Sequence, residues 1–262
     1  MIYDLFMFGG YDNDLLEIRL NTLANIVDKF IICESQNSHN NKPKDLYFLD
    51  NFSRFDKWKD KIIYKSATFN HSNPFHNDWS FRNLLFSSIS NPKSSDIVIS
   101  GDLDEIPKPE ILTEIIKNLD QPSSLEVDYY FFCCDLWGRK DIGNLVMKYD
   151  WIKEPIYKYR DSRSTNFFRK IENAGWHFSS VGKPENIIQK WKWFCHSNEI
   201  KEEYKNTEYI IKQIKRKAGS WDKNAKDNEL KLVEHVYPNL PHYLILEKEK
   251  FKHLFYENYK NL

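Results

Sequence analysis

The sequence has little of what marks disulfide-stapled or membrane-spanning proteins. Its 262 residues contain four cysteines, Cys33, Cys133, Cys134 and Cys195, and no C-x-x-C pair. We therefore expect reduced, buried thiols and a cytoplasmic setting. No apolar run reaches the roughly 18 residues that a membrane span needs, and the N-terminus lacks a charged region followed by an apolar one. Neither a transmembrane segment nor a signal peptide is expected.

Net charge is also absent, because 38 basic residues balance 38 acidic ones. A neutral chain gives no general reason to expect nucleic acid or an anionic membrane as a partner. Aromatic residues, in contrast, make up 16% of the chain, and hydrophobic residues make up 41%. This composition suits a thick core and also a site that stacks flat rings. With no internal repeat or low-complexity run, the length fits a single domain.

Strand-like and helix-like segments alternate through residue 120. Strands are predicted at residues 2–8, 30–33, 61–64 and 97–100, and helices follow a cap at Asp12 or Asn13 and cover 46–58 and 78–89. Such alternation indicates an α/β fold with a mostly parallel sheet flanked by helices. The second half does not show this alternation. A strand is predicted at 125–134, further strands and loops at 135–180, and helices at 184–194, 199–217 and 242–256.

Three acids stand directly after the predicted strand at residues 97–100, namely Asp102, Asp104 and Glu105. Two full charges about 4 Å apart repel by about 1 kcal/mol in water and by about 4 kcal/mol at an effective dielectric near 20. A divalent cation would turn this repulsion into attraction, and hard cations prefer carboxylate oxygen. Ligands of open α/β sheets also bind at the carboxyl ends of strands. Alternatively, the acids cap a helix that begins near Lys108.

Several segments together resemble glycosyltransferase family 17. They are DLLEIRLNTLANIVDKFIICES at residues 14–35, GDLDEIP at 101–107, AGWHF at 174–178 and PHYLILEKEKFKHLF at 241–255. The resemblance covers essentially the whole chain, although residues 8–14 read FGGYDND where relatives often have Asn-Glu before the helix. Animal members of the family carry a membrane anchor and a stem, and neither is expected in this sequence.

The resemblance implies a GT-A fold, with residues 1–120 binding a nucleotide sugar and residues 121–262 binding the acceptor. The implied reaction is the inverting transfer of a sugar, GlcNAc, from a UDP-sugar to a glycan hydroxyl, with Mn²⁺ or Mg²⁺ bridging the phosphates as a Lewis acid. In this scheme Asp104 ligates the metal directly, and Asp102 contacts the ribose or the metal through water. His196 and His177 are the candidates for a third metal ligand.

The remaining donor contacts are assigned around the acids. Glu34, at the end of the second strand, is expected to contact the nucleobase or ribose. Arg82 and Asn83 are expected to reach the diphosphate and base, whereas Trp79 is read as a core residue. Four arginines also fall between residues 135 and 180, namely Arg139, Arg160, Arg163 and Arg169. They are either solvated loop charges or a wall that binds an anionic or polyhydroxyl substrate by forked hydrogen bonds.

An inverting transfer also needs a carboxylate within about 3 Å of the acceptor hydroxyl as general base. Glu185 is the first candidate, because it opens a helix just past AGWHF, and Asp222 is the second. Trp176, Trp191 and Trp193 are candidates for stacking on a sugar ring. Since Trp191 and Trp193 are two positions apart on a helix, they do not share a face, and at least one is expected to pack in the core.

Two other functions fit parts of the sequence. The acids of GDLDEIP would also suit a Mg²⁺-dependent phosphotransferase or hydrolase. Such enzymes usually carry a nucleophilic aspartate directly after the first strand, and here that strand ends in FMFGG. The many Trp and Tyr residues would also suit a glycan-binding module without catalytic activity. Release of UDP from a UDP-sugar in the presence of Mn²⁺ separates the transferase from both alternatives.

Overall fold

A computed structural model of the protein describes residues 1–219 and 228–260. Within these ranges the chain forms eleven strands: β1 Ile2–Met7, β2 Lys29–Ser35, β3 Ile62–Ala67, β4 Ile97–Ser100, β5 Glu105–Pro107, β6 Ser123–Phe132, β7 Leu136–Lys148, β8 Arg169–Val181, β9 Ala218–Gly219, β10 Asn228–Glu229 and β11 Lys231–Leu232. It also forms eight α-helices: α1 Asn13–Leu23, α2 Tyr47–Asp50, α3 Pro74–Ser87, α4 Pro109–Lys117, α5 Ile156–Asp161, α6 Pro184–Trp193, α7 Thr207–Arg216 and α8 His242–Leu246. A 3₁₀ segment covers Phe52–Lys61.

The central sheet has the strand order β3-β2-β1-β4-β7-β6-β8-β5, with β11 paired to β7. The strands β3, β2, β1 and β4 are parallel, as the alternation of strands and helices predicts. From there the sheet is mixed, because β7 runs antiparallel between β4 and β6, and β5 runs antiparallel to β8. The α/β prediction is therefore confirmed, and its parallel character is strongest in the N-terminal half.

Side chains of β1 alternate between two hydrophobic layers, as the pleat of a strand requires. Leu5 packs with Phe81 and Leu85 of α3 on one face of the sheet, while Phe6 packs with Leu16 of α1 on the other. Helices thus cover both faces, and the carboxyl ends of the parallel strands stay accessible at one edge.

One charged pair lies inside the layer between β1 and α1. Arg19 and Asp4 are both fully buried and form a two-point ion pair, with Nε–Oδ2 at 2.8 Å and Nη2–Oδ1 at 2.6 Å. Arg19 Nη1 also donates to the backbone carbonyl oxygens of Asp102, Leu103 and Glu105, at 3.0, 3.2 and 2.5 Å. The pair therefore ties the first strand and helix to the acidic loop that follows β4.

Three local predictions need correction. Glu105 caps no helix, because it belongs to β5 and pairs with His177 of β8. The helix predicted at residues 199–217 begins only at Thr207, where the side chain of Asn206 accepts the backbone N–H of Tyr209. The helix predicted at 242–256 ends at Leu246, and buried apolar residues beyond it pack in 3₁₀ turns.

The four cysteines are free thiols, and Cys195 is the least buried of them. Burial, reinforced by the neighbouring Glu34 carboxylate, raises the pKa of the Cys33 thiol to about 12. The prediction of unpaired thiols is confirmed. In the part of the chain that the structure describes, no helix combines the length and the apolar character that crossing a bilayer requires.

Candidate active site

A cavity of about 430 Å³ opens at the carboxyl edge of β1, β2 and β4. Its wall consists of the loops after these strands, the facing sides of α3, α5 and α6, and residues of β6, β7 and β8. Both sequence halves contribute to it. The volume falls within the range of about 300–1,000 Å³ that is typical of small-molecule sites.

Asp102 lies in this cavity between two arginines. Its Oδ1 is 2.8 Å from Arg82 Nη2, and its Oδ2 is 2.9 Å from Arg160 Nη2. Each arginine is held by a second acid, since Arg82 makes a two-point pair with Asp78 and Arg160 contacts Glu105 at 2.5 Å. Burial alone would raise the pKa of the Asp102 carboxyl, but the two guanidinium groups outweigh burial and hold it well below its usual range. Asp102 is therefore ionised and fixed in place.

Asp104 has a different environment. Its Oδ2 accepts from Lys190 Nζ at 2.5 Å, and its Oδ1 lies 3.7 Å from His177 Nε2, beyond hydrogen-bonding distance. The Nδ1 atom of His177 is buried and has no hydrogen-bond partner among the described residues. Burial would lower the pKa of Lys190, but Asp104 and Asp12 outweigh it and raise that pKa above its ordinary value. Lys190 is therefore charged and neutralises Asp104.

The fit of a divalent metal can be judged from these donors. Among the described residues, no three His, Cys, Asp or Glu side chains form a ready cluster of ligands. Mg²⁺ commonly needs only one or two carboxylates, because water and substrate phosphates complete its shell. Asp104 Oδ1 and His177 Nε2 converge with a gap between them, and Asp102 lies in the same cavity. This donor set fits a metal that arrives together with a diphosphate. His196 also lines the cavity, and its Nδ1 lies 2.7 Å from Glu199 Oε1.

At Gly101 the backbone of the acidic loop passes close to the side chain of Asn144. A Cβ atom at this position would lie 2.0 Å from Asn144 Nδ2. Asn144 is fully buried, and neither atom of its amide has a hydrogen-bond partner among the described residues. The close approach explains why only glycine fits between β4 and Asp102.

Part of the cavity wall is aromatic and cationic. Trp193 of α6 lines it, and the ring of Tyr47 stacks against Trp193 with centroids 6.3 Å apart. Lys44 also lines the cavity and lies over both rings. Trp191, in contrast, is fully buried and donates its indole N–H to Ser180. The expectation that one of these two tryptophans packs in the core is confirmed.

Glu34 does not line the cavity. Its buried carboxylate accepts the backbone N–H groups of Tyr47 and Phe48 at 2.8 and 3.0 Å and the hydroxyl of Tyr64 at 3.0 Å. Lys44 Nζ lies 3.2 Å from the same carboxylate. The predicted contact with the nucleobase is therefore corrected, because Glu34 is already engaged in fixing the start of α2 and in placing Lys44.

Other assigned residues also lie elsewhere. Trp176 is fully buried and donates its indole N–H to the carbonyl oxygen of Pro238, so it presents no face to a sugar. Asn83 is half-buried and does not line the cavity, whereas Arg82 and the half-buried Trp79 do. Trp79 is thus a wall residue rather than a core residue.

Neither predicted general base is found in the cavity. Glu185 is exposed and lies outside the cavity wall, so its assignment is corrected. The physical reason is helical geometry, since Lys190, five positions later on α6, faces the cavity and the two side chains diverge around the helix axis. Asp222 lies outside the described residues.

Three of the four clustered arginines belong to the cavity wall, namely Arg139, Arg160 and Arg163, whereas Arg169 does not. Arg163 is anchored by its Nε on the carbonyl oxygen of Ile142, at 2.9 Å, and makes no ion pair with a described residue. Burial, and then the charge of Arg160, lowers its pKa. A half-buried guanidinium in this setting would gain from a bound anion.

Asp12 and Lys190 are among the cavity residues that sequence reasoning missed. Asp12, after β1, lines the cavity and makes no ion pair with a described residue. Burial raises the pKa of its carboxyl to about 7, with Lys190 opposing that rise and Asp104 adding to it. The sequence marks Asp12 only as a possible helix cap, and nothing local distinguishes Lys190 from its neighbour Lys192.

Comparisons with known proteins agree with the motifs. The glycosyltransferase family 17 model matches residues 1–260. Over 298 aligned residues, the chain is 22% identical to the beta-1,4-mannosyl-glycoprotein 4-beta-N-acetylglucosaminyltransferase of Rattus norvegicus. The alignment covers 96% of this chain and 54% of the rat protein, so the chain spans about half the length of that relative. The resemblance to the family is thereby confirmed.

Proposed function

Because the chain belongs to glycosyltransferase family 17, we propose that it transfers GlcNAc from UDP-GlcNAc to a glycan hydroxyl with inversion, assisted by Mn²⁺ or Mg²⁺. The rat relative is named as an N-acetylglucosaminyltransferase, which supports the choice of sugar. We assign the mixed sheet to the GT-A architecture, with donor and acceptor sharing one cavity that is lined by residues from both sequence halves.

One observation carries this proposal: Asp102 and Asp104 stand at the carboxyl end of a buried parallel strand and face a cavity rich in cations. Asp104 and His177 would hold the metal, with Asp102 beside them. When bound, the metal supplies Lewis-acid stabilisation of the departing diphosphate. Arg82 and Arg160 keep Asp102 ionised, and Arg163 offers a guanidinium without a carboxylate partner in the described chain.

The acceptor side of the proposal rests on two aromatic residues that line the cavity, the half-buried Trp79 and the exposed Phe75. Trp79 stacks on Tyr157 with centroids 4.6 Å apart and an interplanar angle of 17°, and it also stacks with His76, with centroids 4.8 Å apart. The exposed Phe75 lines the same side. Flat aromatic surfaces of this kind suit the apolar C–H face of a sugar, which agrees with a glycan as acceptor.

We propose Asp12 as the general base in place of Glu185. Asp78, Asp102 and Asp104 are each held by a cation, whereas Asp12 lines the cavity without an ion pair in the described chain. Its pKa of about 7 suits a group that must accept a proton near neutral pH. Burial is the main cause of this raised pKa; Lys190 opposes the rise, and Asp104 and Asp14 add to it.

A pH profile tests the assignment of Asp12. Since a protonated carboxyl cannot accept a proton, kcat is expected to fall as the pH decreases through about 7. Asp12→Asn is expected to lower kcat by about 10²–10⁴-fold and to remove this acidic limb. Asp161→Asn is the matched comparison, because Asp161 also lines the cavity without an ion pair in the described residues. If Asp161→Asn removes the limb and Asp12→Asn does not, the assignment is wrong.

The proposed function is tested by donor turnover. Purified protein with Mn²⁺ is expected to release UDP from UDP-GlcNAc, slowly with water and faster with a glycan acceptor. Binding and turnover of GDP- or CMP-sugars alone would contradict the donor assignment. Saturable glycan binding without affinity for any sugar nucleotide would contradict the transferase itself.

A further inference from the structure

Lys190 is held by fewer carboxylates than Arg82 and Arg160, the two arginines that flank Asp102. Its ammonium group lies 2.5 Å from Asp104 Oδ2, and its side chain is 15% exposed. Arg82 and Arg160 each bridge Asp102 to a second carboxylate, so their guanidinium groups are fixed from two sides. Asp104 is the one carboxylate that pairs with Lys190 in the described chain.

We infer that Lys190 is an exchangeable counter-ion, which pairs with Asp104 in the free protein and with the donor's diphosphate when a divalent metal occupies Asp104. This inference rests on the proposed function, because it assigns a role to a residue in the same site. The GDLDEIP motif points only to acidic residues, whereas this inference assigns a role to Lys190.

Charge balance supports the exchange. Lys190 and a divalent ion compete for Asp104, because two cations on one carboxylate would repel each other at short distance. An ammonium on a four-carbon stem can change its partner readily, whereas a forked guanidinium held by two acids cannot. The cavity wall already contains Arg163 without a carboxylate partner in the described residues. Lys190 and Arg163 therefore both line the cavity that an anion would enter.

The two halves of the exchange predict opposite effects of one substitution. Lys190→Met removes the competitor of the metal, so Mn²⁺ is expected to bind about tenfold more tightly in the absence of nucleotide. The same substitution removes a cation from the phosphate site, so UDP in the presence of saturating Mn²⁺ is expected to bind roughly thirtyfold more weakly. A residue with a purely structural role would weaken both affinities together.

The experiment measures free Mn²⁺ by electron paramagnetic resonance and UDP binding by calorimetry. Lys192→Met is the matched control, because Lys192 lies two positions along α6, is exposed and does not line the cavity. It is expected to behave as the wild type in both measurements. Lys190→Arg keeps the charge and is expected to stay within a few-fold of the wild type, which covers the case in which Lys190→Met fails to fold.

The outcomes separate the inference from the proposed function. If the wild type binds UDP with Mn²⁺ but Lys190→Met matches Lys192→Met, Lys190 is no counter-ion and the inference is overturned. If Lys190→Met weakens Mn²⁺ and UDP alike, the pair with Asp104 is structural and the inference is again overturned. If the wild type binds Mn²⁺ but no UDP, the proposed function is contradicted. The part of the inference in which Lys190 binds the diphosphate is then contradicted as well.

Discussion

Asp104→Asn is expected to lower kcat by about 10³-fold while the protein remains folded. The amide removes the negative charge that would hold the metal, and several kcal/mol of transition-state stabilisation depends on that charge. The amide oxygen still accepts from Lys190, so the loss of stability is limited to the difference between a carboxylate and an amide acceptor, about 1 kcal/mol. Initial rates and a melting curve without metal measure the two effects separately.

The control for Asp104→Asn is Asp150→Asn. Asp150 is exposed, pairs with Lys153 and lies outside the cavity wall, so neither rate nor melting temperature is expected to change noticeably. An Asp104→Asn protein that keeps its turnover would contradict the role of the carboxylate. A protein that no longer melts cooperatively would show that Asp104 supports the fold instead.

Arg19→Met is expected to lower the free energy of unfolding by about 3–5 kcal/mol. The substitution leaves the fully buried Asp4 carboxylate without its counter-ion and frees three backbone carbonyl oxygens of the acidic loop. Because these carbonyls position Asp102 and Asp104, we also expect activity to fall in the molecules that remain folded. Urea unfolding gives the stability, and initial rates well below the transition give the activity.

The double variant Asp4→Leu/Arg19→Met separates the two contributions. It removes the unpaired charge, so stability is expected to recover in part relative to Arg19→Met, while the loop carbonyls stay unsatisfied and activity stays low. Arg54→Met is the control. Arg54 is 30% exposed and pairs with Asp14 and Glu17, and Glu17 keeps Lys250 as a partner, so the substitution is expected to cost about 1 kcal/mol. Strictly additive effects of the two single substitutions would show that Asp4 and Arg19 do not act as a pair.

The parts of the fold that local sequence determines were predictable. The strand Ile97–Ser100 is apolar and fully buried, so its limits can be read from the sequence. Pro184 likewise sets the start of α6, because proline suits the first helical turn. Asp102 and Asp104 line the cavity because they directly follow β4, and the end of a buried parallel strand fixes where the next residues lie.

What the sequence could not supply is which side of an element faces the cavity. Glu185 and Lys190 are both charged residues of α6, and only the packing of the helix against β8 and β6 decides that Lys190 points inward. Glu34 was misassigned because its partners, the backbone N–H groups of Tyr47 and Phe48, lie 13 and 14 residues later in the chain. No sequence pattern near Glu34 indicates that this later segment packs against the end of β2. The burial of Arg19, in contrast, could have been predicted, because Arg19 is a charged residue within the apolar face of α1.

The central claim is that a divalent ion at Asp104 holds the diphosphate of an activated sugar. A crystal structure of the protein with UDP and Mn²⁺ tests it most directly. We predict an ion about 2.1 Å from an Asp104 oxygen, the diphosphate bound to it, and Lys190 moved from Asp104 to a phosphate oxygen. A nucleotide bound elsewhere, with Asp104 still paired to Lys190, would contradict the account.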